Sequence, residues 1–216
     1  MLDAAFVARF GPPLERLAAR LARTGLSPDG LSWTGFGLGL AAAAAIVEQV
    51  HVLALALILA SRLADGLDGA LARHLGRASA RGAYLDITLD FLFYALVPLA
   101  FAWSDPAANS LAGATLLAAF MGTGSSFLAY AVLAERHGLR SVAFPRKGFY
   151  YLGGLTEAGE TLACFAAMCL WPQHFALLAY GFAALCGLTV AMRVQAGWRC
   201  FGALDRAGPD TRPPPR

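Results

Sequence analysis

Residues 65–90 read DGLDGALARHLGRASARGAYLDITLD. Asp65 and Asp68 stand three positions apart, and Asp86 and Asp90 four. Each spacing puts its pair on one face of a helix, with Cβ atoms about 5–6 Å apart. The polar stretch 74–82 between the pairs can turn the chain. Two antiparallel helices are therefore predicted, with four carboxylates converging near one depth. An ionised Asp at the centre of a bilayer costs about 2.5–3.5 kcal/mol on insertion scales, less near an interface, and four carboxylates repel one another. Arg62 and Arg73 could neutralise part of that charge as a structural salt-bridge network. Divalent cations neutralise it more completely, and hard oxygen ligands suit Mg²⁺ or Mn²⁺.

Outward from this segment the sequence is that of a membrane protein. Of 216 residues, 58% are hydrophobic and 14% charged, where a soluble domain carries about a quarter charged. At roughly 20 apolar residues per crossing, the length accommodates six helices and no separate soluble domain. Apolar stretches fall at 29–48, 52–73, 83–103, 110–134, 148–171 and 175–197. The fold expected is all-α and integral to the membrane, with six transmembrane helices.

Ahead of them, 13–24 set Leu14, Leu17 and Leu21 against Arg16, Arg20 and Arg23, the pattern of an amphipathic helix lying in the membrane interface. The chain thus divides into an interfacial segment (1–26), a six-helix membrane domain (27–200) and a disordered tail (201–216). No signal peptide is expected, because Pro12 and Pro13 interrupt the N-terminus and no compact apolar core is present. The four cysteines, with no CxxC pair, read as small core residues rather than a disulfide framework or zinc site.

The breaks at Glu48–His51, Ser104–Pro106 and Trp171–His174 contain no Lys or Arg. The basic residues fall instead in the N-terminal segment, around 62–81, in 136–147, and from Arg193 onward. With six crossings those regions share one compartment, and the positive-inside rule makes it the cytoplasm for both termini and the aspartates. Gly35-Phe36-Gly37-Leu38-Gly39 follows no strand, so its small residues are expected to permit close helix packing rather than cradle a nucleotide.

Gly66, Gly69, Ala72 and Gly82 clear space beside the acids, so a bulky polar head group can approach the backbone. Two divalent ions there could bridge a diphosphate and stabilise a leaving phosphate oxygen, and one carboxylate could accept the proton of an attacking hydroxyl.

The pattern Asp65-x2-Asp68-Gly69-x2-Ala72-Arg73-x8-Gly82-x3-Asp86-x3-Asp90 resembles, at every defining position, the signature of the CDP-alcohol phosphatidyltransferases. Gly25-Leu26-Ser27-Pro28 is similar to the turn before the family's first span, although Asp29 stands where many members carry Asn. The stretch KGFYYLGGLTEAGET (147–161) looks closest to a bacterial inner-membrane branch.

The resemblance implies that Asp65, Asp68 and Asp86 ligate metal, and that Asp90 is the general base and a further ligand, with two Mg²⁺ or Mn²⁺ ions. It implies that Gly69, Ala72, Arg73 and Gly82 border or support the cytidine-diphosphate group, and that the chain forms a homodimer. The reaction implied is attack by the hydroxyl of a small alcohol on the lipid-side phosphate of CDP-diacylglycerol, or another CDP-linked donor, releasing CMP.

Glu157 and Glu160 share a face within the apolar fifth stretch. They are candidates for binding the acceptor or for partnering Arg193. Arg146 and Lys147, at the cytoplasmic mouth, could hold a phosphorylated acceptor or be ordinary loop charges. A soluble CDP-alcohol acting on diacylglycerol is the near alternative, and a cation transporter the alternative of another class. The lipid bilayer is the expected surrounding, with no nucleic-acid partner.

Overall fold

The computed structural model describes residues 2–139 and 155–207, with side chains from 11–139 and 155–206. Among these residues all regular structure is helical. The α-helices are α1 (Leu2–Leu21), α2 (Pro28–Val47), α3 (His51–His74), α4 (Ala80–Ser104), α5 (Pro106–Arg136), α6 (Ala158–Leu170) and α7 (Phe175–Ala207).

Their starts follow from local chemistry. Ser27 caps α2 by accepting from the Gly30 N–H at 3.1 Å, with Pro28 at the first helical position, where its missing N–H has no partner to lose. Asp105 and Pro106 open α5 the same way, Asp105 accepting from Ala108 N–H at 3.1 Å. Ser79 caps α4 through the Gly82 N–H at 3.1 Å.

Four helices, α2, α4, α5 and α7, are long and apolar enough to cross a membrane. α3 has 24 residues, about 36 Å at 1.5 Å per residue, but its Arg62–Arg73 half is too polar to meet the same test. α6 has 13 residues, about 20 Å, and begins ten positions later than the apolar stretch that predicts it. Length and composition thus identify four of the six expected crossings.

Two further boundaries differ from expectation. α1 continues N-terminally through Pro12 and Pro13. Its packed face runs through Leu14 and Ala18, with Ala18 fully buried against Ala70 and Leu71 of α3 while Leu17 is exposed. At the other end α7 carries helix through 201–207, where a disordered tail is expected; 208–216 lie outside the described residues.

α2 seats against α3 and α4 through its glycines. A Cβ at Gly35 would stand 3.2 Å from the Ser61 carbonyl oxygen and 3.3 Å from Ala64 Cβ, and Ser61 Oγ donates to the Gly35 carbonyl at 2.7 Å. A Cβ at Gly39 would come within 2.8 Å of the Phe93 ring. Gly35 and Gly39 therefore serve close packing, whereas a Cβ at Gly37 would meet nothing within 4 Å. Below it an aromatic ladder joins four helices: Phe93 of α4 meets Phe165 of α6 at 6.2 Å, and Phe120 of α5 meets Phe165 and Phe182 of α7, each at 6.1 Å.

The turns sort to opposite ends. Gln49 Nε2 donates to the Ser104 carbonyl at 3.3 Å. His51 stacks on Phe101 at 5.9 Å, and Phe101 on Phe175 at 4.7 Å. The three turns lacking Lys and Arg are thereby drawn together, away from the α3–α4 turn with Arg77.

Candidate active site

The α3–α4 hairpin carries all four aspartates. One carboxylate oxygen from each of Asp65, Asp68 and Asp86 lies within 4.8 Å of the other two. Adjacent ligands of an octahedral Mg²⁺ stand about 2.9 Å apart and opposite ones about 4.2 Å, so side-chain rotation that draws the three oxygens inward would seat a hard cation among them. Asp68 is the most enclosed, 5% exposed, and is fixed from α2 by Ser32, whose hydroxyl donates to Asp68 Oδ2. A buried carboxylate needs such a donor, since an unsatisfied one costs the full desolvation of the group.

Asp90 is held differently. Arg62 Nη1 donates to Asp90 Oδ1 and stands 3.5 Å from Asp65 Oδ2. The guanidinium lies 3.8 Å over the Phe93 ring, and its Nη2 donates to Ser61 Oγ at 3.3 Å. Three of the four predicted aspartates thus come together, and the fourth is clamped by an arginine that the sequence presents only as a counter-charge.

Beside the acids is a cavity of about 190 Å³. Gly69, Ala72, Arg73 and Gly82, the four residues predicted to meet a CDP group, all line it together with Asp68 and Asp86. Arg77 and Ser79 of the turn, and Pro28, Asp29 and Ser32 of α2, complete its walls. One wall is cationic and the other anionic, which suits a phosphate anion held by guanidinium groups with its counter-cation on the carboxylates. Gly69 leaves room for Arg73, whose Nη1 would be 3.2 Å from a Cβ there, and Gly82 faces Asp29. Asp29 is ion-paired with Arg81, whose side chain is exposed.

The acceptor candidates are dispersed. Glu157 is the N-cap of α6, and Glu160 Oε2 accepts from the Glu157 N–H at 3.2 Å in a reciprocal capping box. Glu157 therefore precedes that helix and Glu160 lies in its first turn, where their spacing suggests one face of a helix interior. Arg193 Nη1 donates to the Thr123 carbonyl at 3.0 Å, and its guanidinium lies 5.6 Å from the Phe127 ring. Arg146 and Lys147 lie outside the described residues. Ser32 is a site residue that sequence reading does not single out. Asp29 enters that reading only as a departure from the family pattern, and Arg77 and Arg81 only as basic residues of the 62–81 stretch.

Residues 26–194 match the family model described as CDP-alcohol phosphatidyltransferase. The chain is 47% identical over 206 residues to the inner membrane protein YnjF of Escherichia coli (strain K12), covering 95% of this chain and 100% of that one. It is 32% identical over 216 residues to the phosphatidylinositol phosphate synthase of Mycobacteroides abscessus, covering 90% of each. Its fold is similar to the crystal structure of Mycobacterium tuberculosis phosphatidylinositol phosphate synthase with CDP-DAG bound, at a TM-score of 0.68 and 23% identity, covering 86% of this chain and 93% of that one. Because the matched region takes in both acid-bearing helices and the cavity between them, the chain belongs to the CDP-alcohol phosphatidyltransferase family, as a membrane transferase of phospholipid synthesis.

Proposed function

We propose that the enzyme moves the phosphatidyl group of CDP-diacylglycerol onto the hydroxyl of a small alcohol and releases CMP. The observation that carries this reading is that Asp68 and Asp86, two of the three clustered carboxylates, open onto the same cavity as Arg73, Arg77 and the small residues. The mycobacterial structure of similar fold has CDP-DAG bound, which supports the lipid-linked donor.

In this reading Asp65, Asp68 and Asp86 hold Mg²⁺ or Mn²⁺. The ion, when bound, offsets diphosphate charge and stabilises the oxygen that leaves with CMP. Gly69, Ala72 and Gly82 let the head group lie against the backbone, while Arg73 and Arg77 take phosphate oxygens. The acceptor oxygen attacks the phosphorus nearer the lipid. Its bond to the bridging oxygen breaks, and CMP leaves with that electron pair. Asp90 takes the hydroxyl proton, and Arg62 keeps its carboxylate in place until then. Glu157, Glu160, Arg193, Arg146 and Lys147 are the residues proposed to meet the acceptor.

The chain would cross a bacterial inner membrane six times as a homodimer, with α3 and α6 completing the bundle and α1 at the interface. Both termini and the cavity would face the cytoplasm. That arrangement leaves the donor's tails in lipid while its head reaches α3.

The test is CMP release from purified protein with Mg²⁺. CDP-diacylglycerol is compared with CDP-choline and CDP-ethanolamine plus diacylglycerol, across inositol phosphate, glycerol phosphate and serine as acceptors. CMP should appear with CDP-diacylglycerol. Asp90→Asn should abolish turnover yet retain donor binding, and Asp68→Asn should also weaken metal-dependent binding. Wild-type turnover by Asp90→Asn, or CMP from the soluble donors alone, sinks the reading.

A further inference from the structure

We propose that Thr189 of α7 is a positioning residue for the acceptor end of the site, holding the entry to α6 so that Glu157 and Glu160 keep one register with Arg193. The inference rests on the assignment of those three residues to the acceptor and on α6 crossing the membrane. Thr189 lies in an apolar helix and is fully buried. A threonine there can satisfy its donor on its own helix, and this one does, its hydroxyl donating to the Leu185 carbonyl at 3.0 Å. Thr88 and Thr115 do the same in α4 and α5, which is ordinary behaviour for a helical threonine. Thr189 goes further. Its oxygen also accepts from the Leu155 N–H at 3.2 Å and from Thr156 Oγ1 at 3.0 Å. A hydroxyl has one donor and two acceptor positions, so all of them are in use.

The two outside donors belong to the chain just ahead of α6. Leu155 and Thr156 precede its N-cap, Glu157, and are not helical. With 13 residues, α6 is about 20 Å long against a hydrocarbon core of about 30 Å. Its far end meets the Trp171–His174 turn, which the Phe101–Phe175 stack holds level with the other turns lacking Lys and Arg. The shortfall therefore falls at Glu157, where a crossing α6 begins below the membrane surface. Non-helical backbone at that depth is tolerated only where protein or a water-filled cavity gives it partners. Thr189 is such a partner.

What Thr189 fixes passes directly into both acids. The Glu157 N–H donates to Glu160 Oε2 at 3.2 Å, and Thr161 Oγ1 donates to the Glu157 carbonyl at 2.9 Å, so the chain at 155–156 sets the first turn of α6. On α7, Arg193 lies four positions past Thr189 and on the same helical face. Its Nη1 donates to the Thr123 carbonyl of α5 at 3.0 Å. Thr189 is thus the point where the acids of α6 are locked to the arginine of α7. Without its hydroxyl, the Leu155 N–H and the Thr156 hydroxyl lose their shared acceptor, and the entry to α6 is free to shift against Arg193. The cavity between α2, α3 and α4 is lined by none of these residues, so the donor should not feel the change.

The test compares full-length wild type, Thr189→Val and Thr189→Ser in detergent. CMP release with Mg²⁺ is titrated in CDP-diacylglycerol and, separately, in inositol phosphate, glycerol phosphate and serine. Hydrogen–deuterium exchange is read over 155–161 on the same samples. In Thr189→Val the KM for the acceptor that wild type uses should rise roughly fivefold, the net worth of about one neutral hydrogen bond. Its donor KM and kcat should hold, the sign of lost acceptor binding, and exchange over 155–161 should quicken. Thr189→Ser, which keeps the hydroxyl, should restore both readings. An unchanged acceptor KM or unchanged exchange in Thr189→Val would overturn the inference while leaving the transfer reading standing. So would a fall in kcat alone, or both KM values rising together, since general loosening of the fold does that. If Thr189→Val gives no monodisperse peak, Thr156→Val decides, because it spares the bond from Thr189 to Leu185. A raised acceptor KM with donor KM unchanged then supports the proposal, and an unchanged acceptor KM ends it. No CMP from wild type with any of the three acceptors overturns the transfer reading itself, and this inference with it.

Discussion

Ser32 shows how little of a buried site resides in the acids alone. Its hydroxyl is the side-chain donor that α2 gives to Asp68, a carboxylate only 5% exposed. Hydrogen bonds to charged groups contribute about 1.5–3 kcal/mol. Ser32→Ala should therefore raise the Mn²⁺ concentration for half-maximal CMP release by roughly tenfold, the lower end of that range, while Ser32→Thr stays near wild type. An unchanged metal requirement in Ser32→Ala would remove the role given to this bond. The aspartate pairs are legible in the sequence because helical spacing relates them within two adjacent helices, and the family resemblance supplies the other signature positions. Ser32 is not, because its partner lies 36 positions away and no local rule joins them. Glu157 and Glu160 are misplaced along their helix by spacing alone, for a different reason. Acids three apart describe one face of a helix, but they also describe the N-cap and N3 positions of a capping box. Only the start of α6 at Ala158 separates the two readings.

The elements are most legible where an apolar run is unmixed, as in α2, α4, α5 and α7. α3 is less so, because one helix must both lie in the bundle and carry Arg62, Asp65, Asp68 and Arg73, and its polar half dilutes its hydropathy. What hydropathy cannot supply is how closely two helices approach. Gly39 and Gly37 make that testable on one helix. A methyl at Gly39 would meet Phe93 at 2.8 Å, whereas nothing lies within 4 Å of one at Gly37. Gly39→Ala should cost about 1–3 kcal/mol through overpacking. In detergent its melting temperature should fall well below that of Gly37→Ala, which should match or exceed wild type because alanine favours helix. Gly39→Ala should also lose activity, because Phe93 is the ring on which Arg62 rests. Equal melting points for the two variants would break this account of α2–α4 packing. At the head of α4, Ser79→Ala removes the cap on the Gly82 N–H and should lower stability by about 1 kcal/mol, again read as a shift in melting temperature. That loss should exceed the effect of a surface substitution such as Ala107→Ser.

At the scale of the whole molecule, the hydrogen bond from Gln49 to Ser104 and the His51–Phe101–Phe175 stack gather the three turns without Lys or Arg. The cavity lies by the α3–α4 turn, with Arg73 and Arg77 in its wall. Such sorting has a physical cause, since basic flanks resist transfer across an energised membrane and stay on the cytoplasmic side. It would also suit the proposed transfer, in which CMP and a small polar acceptor are soluble while the donor's tails are not. The sidedness can be measured on the intact chain. With Cys164, Cys169, Cys186 and Cys200 replaced by serine or alanine, Ala107→Cys and Glu135→Cys place single exposed thiols at opposite ends of α5. A membrane-impermeant maleimide applied to whole cells should label Ala107→Cys at once. It should reach Glu135→Cys only after the inner membrane is opened. The reverse pattern would put the aspartates on the outer face, cut off from cytoplasmic CMP and acceptor, and the transfer reading would lose its supply of soluble substrate. Labelling of both positions in whole cells would mean that α5 does not cross, and the six-helix bundle would fail with it.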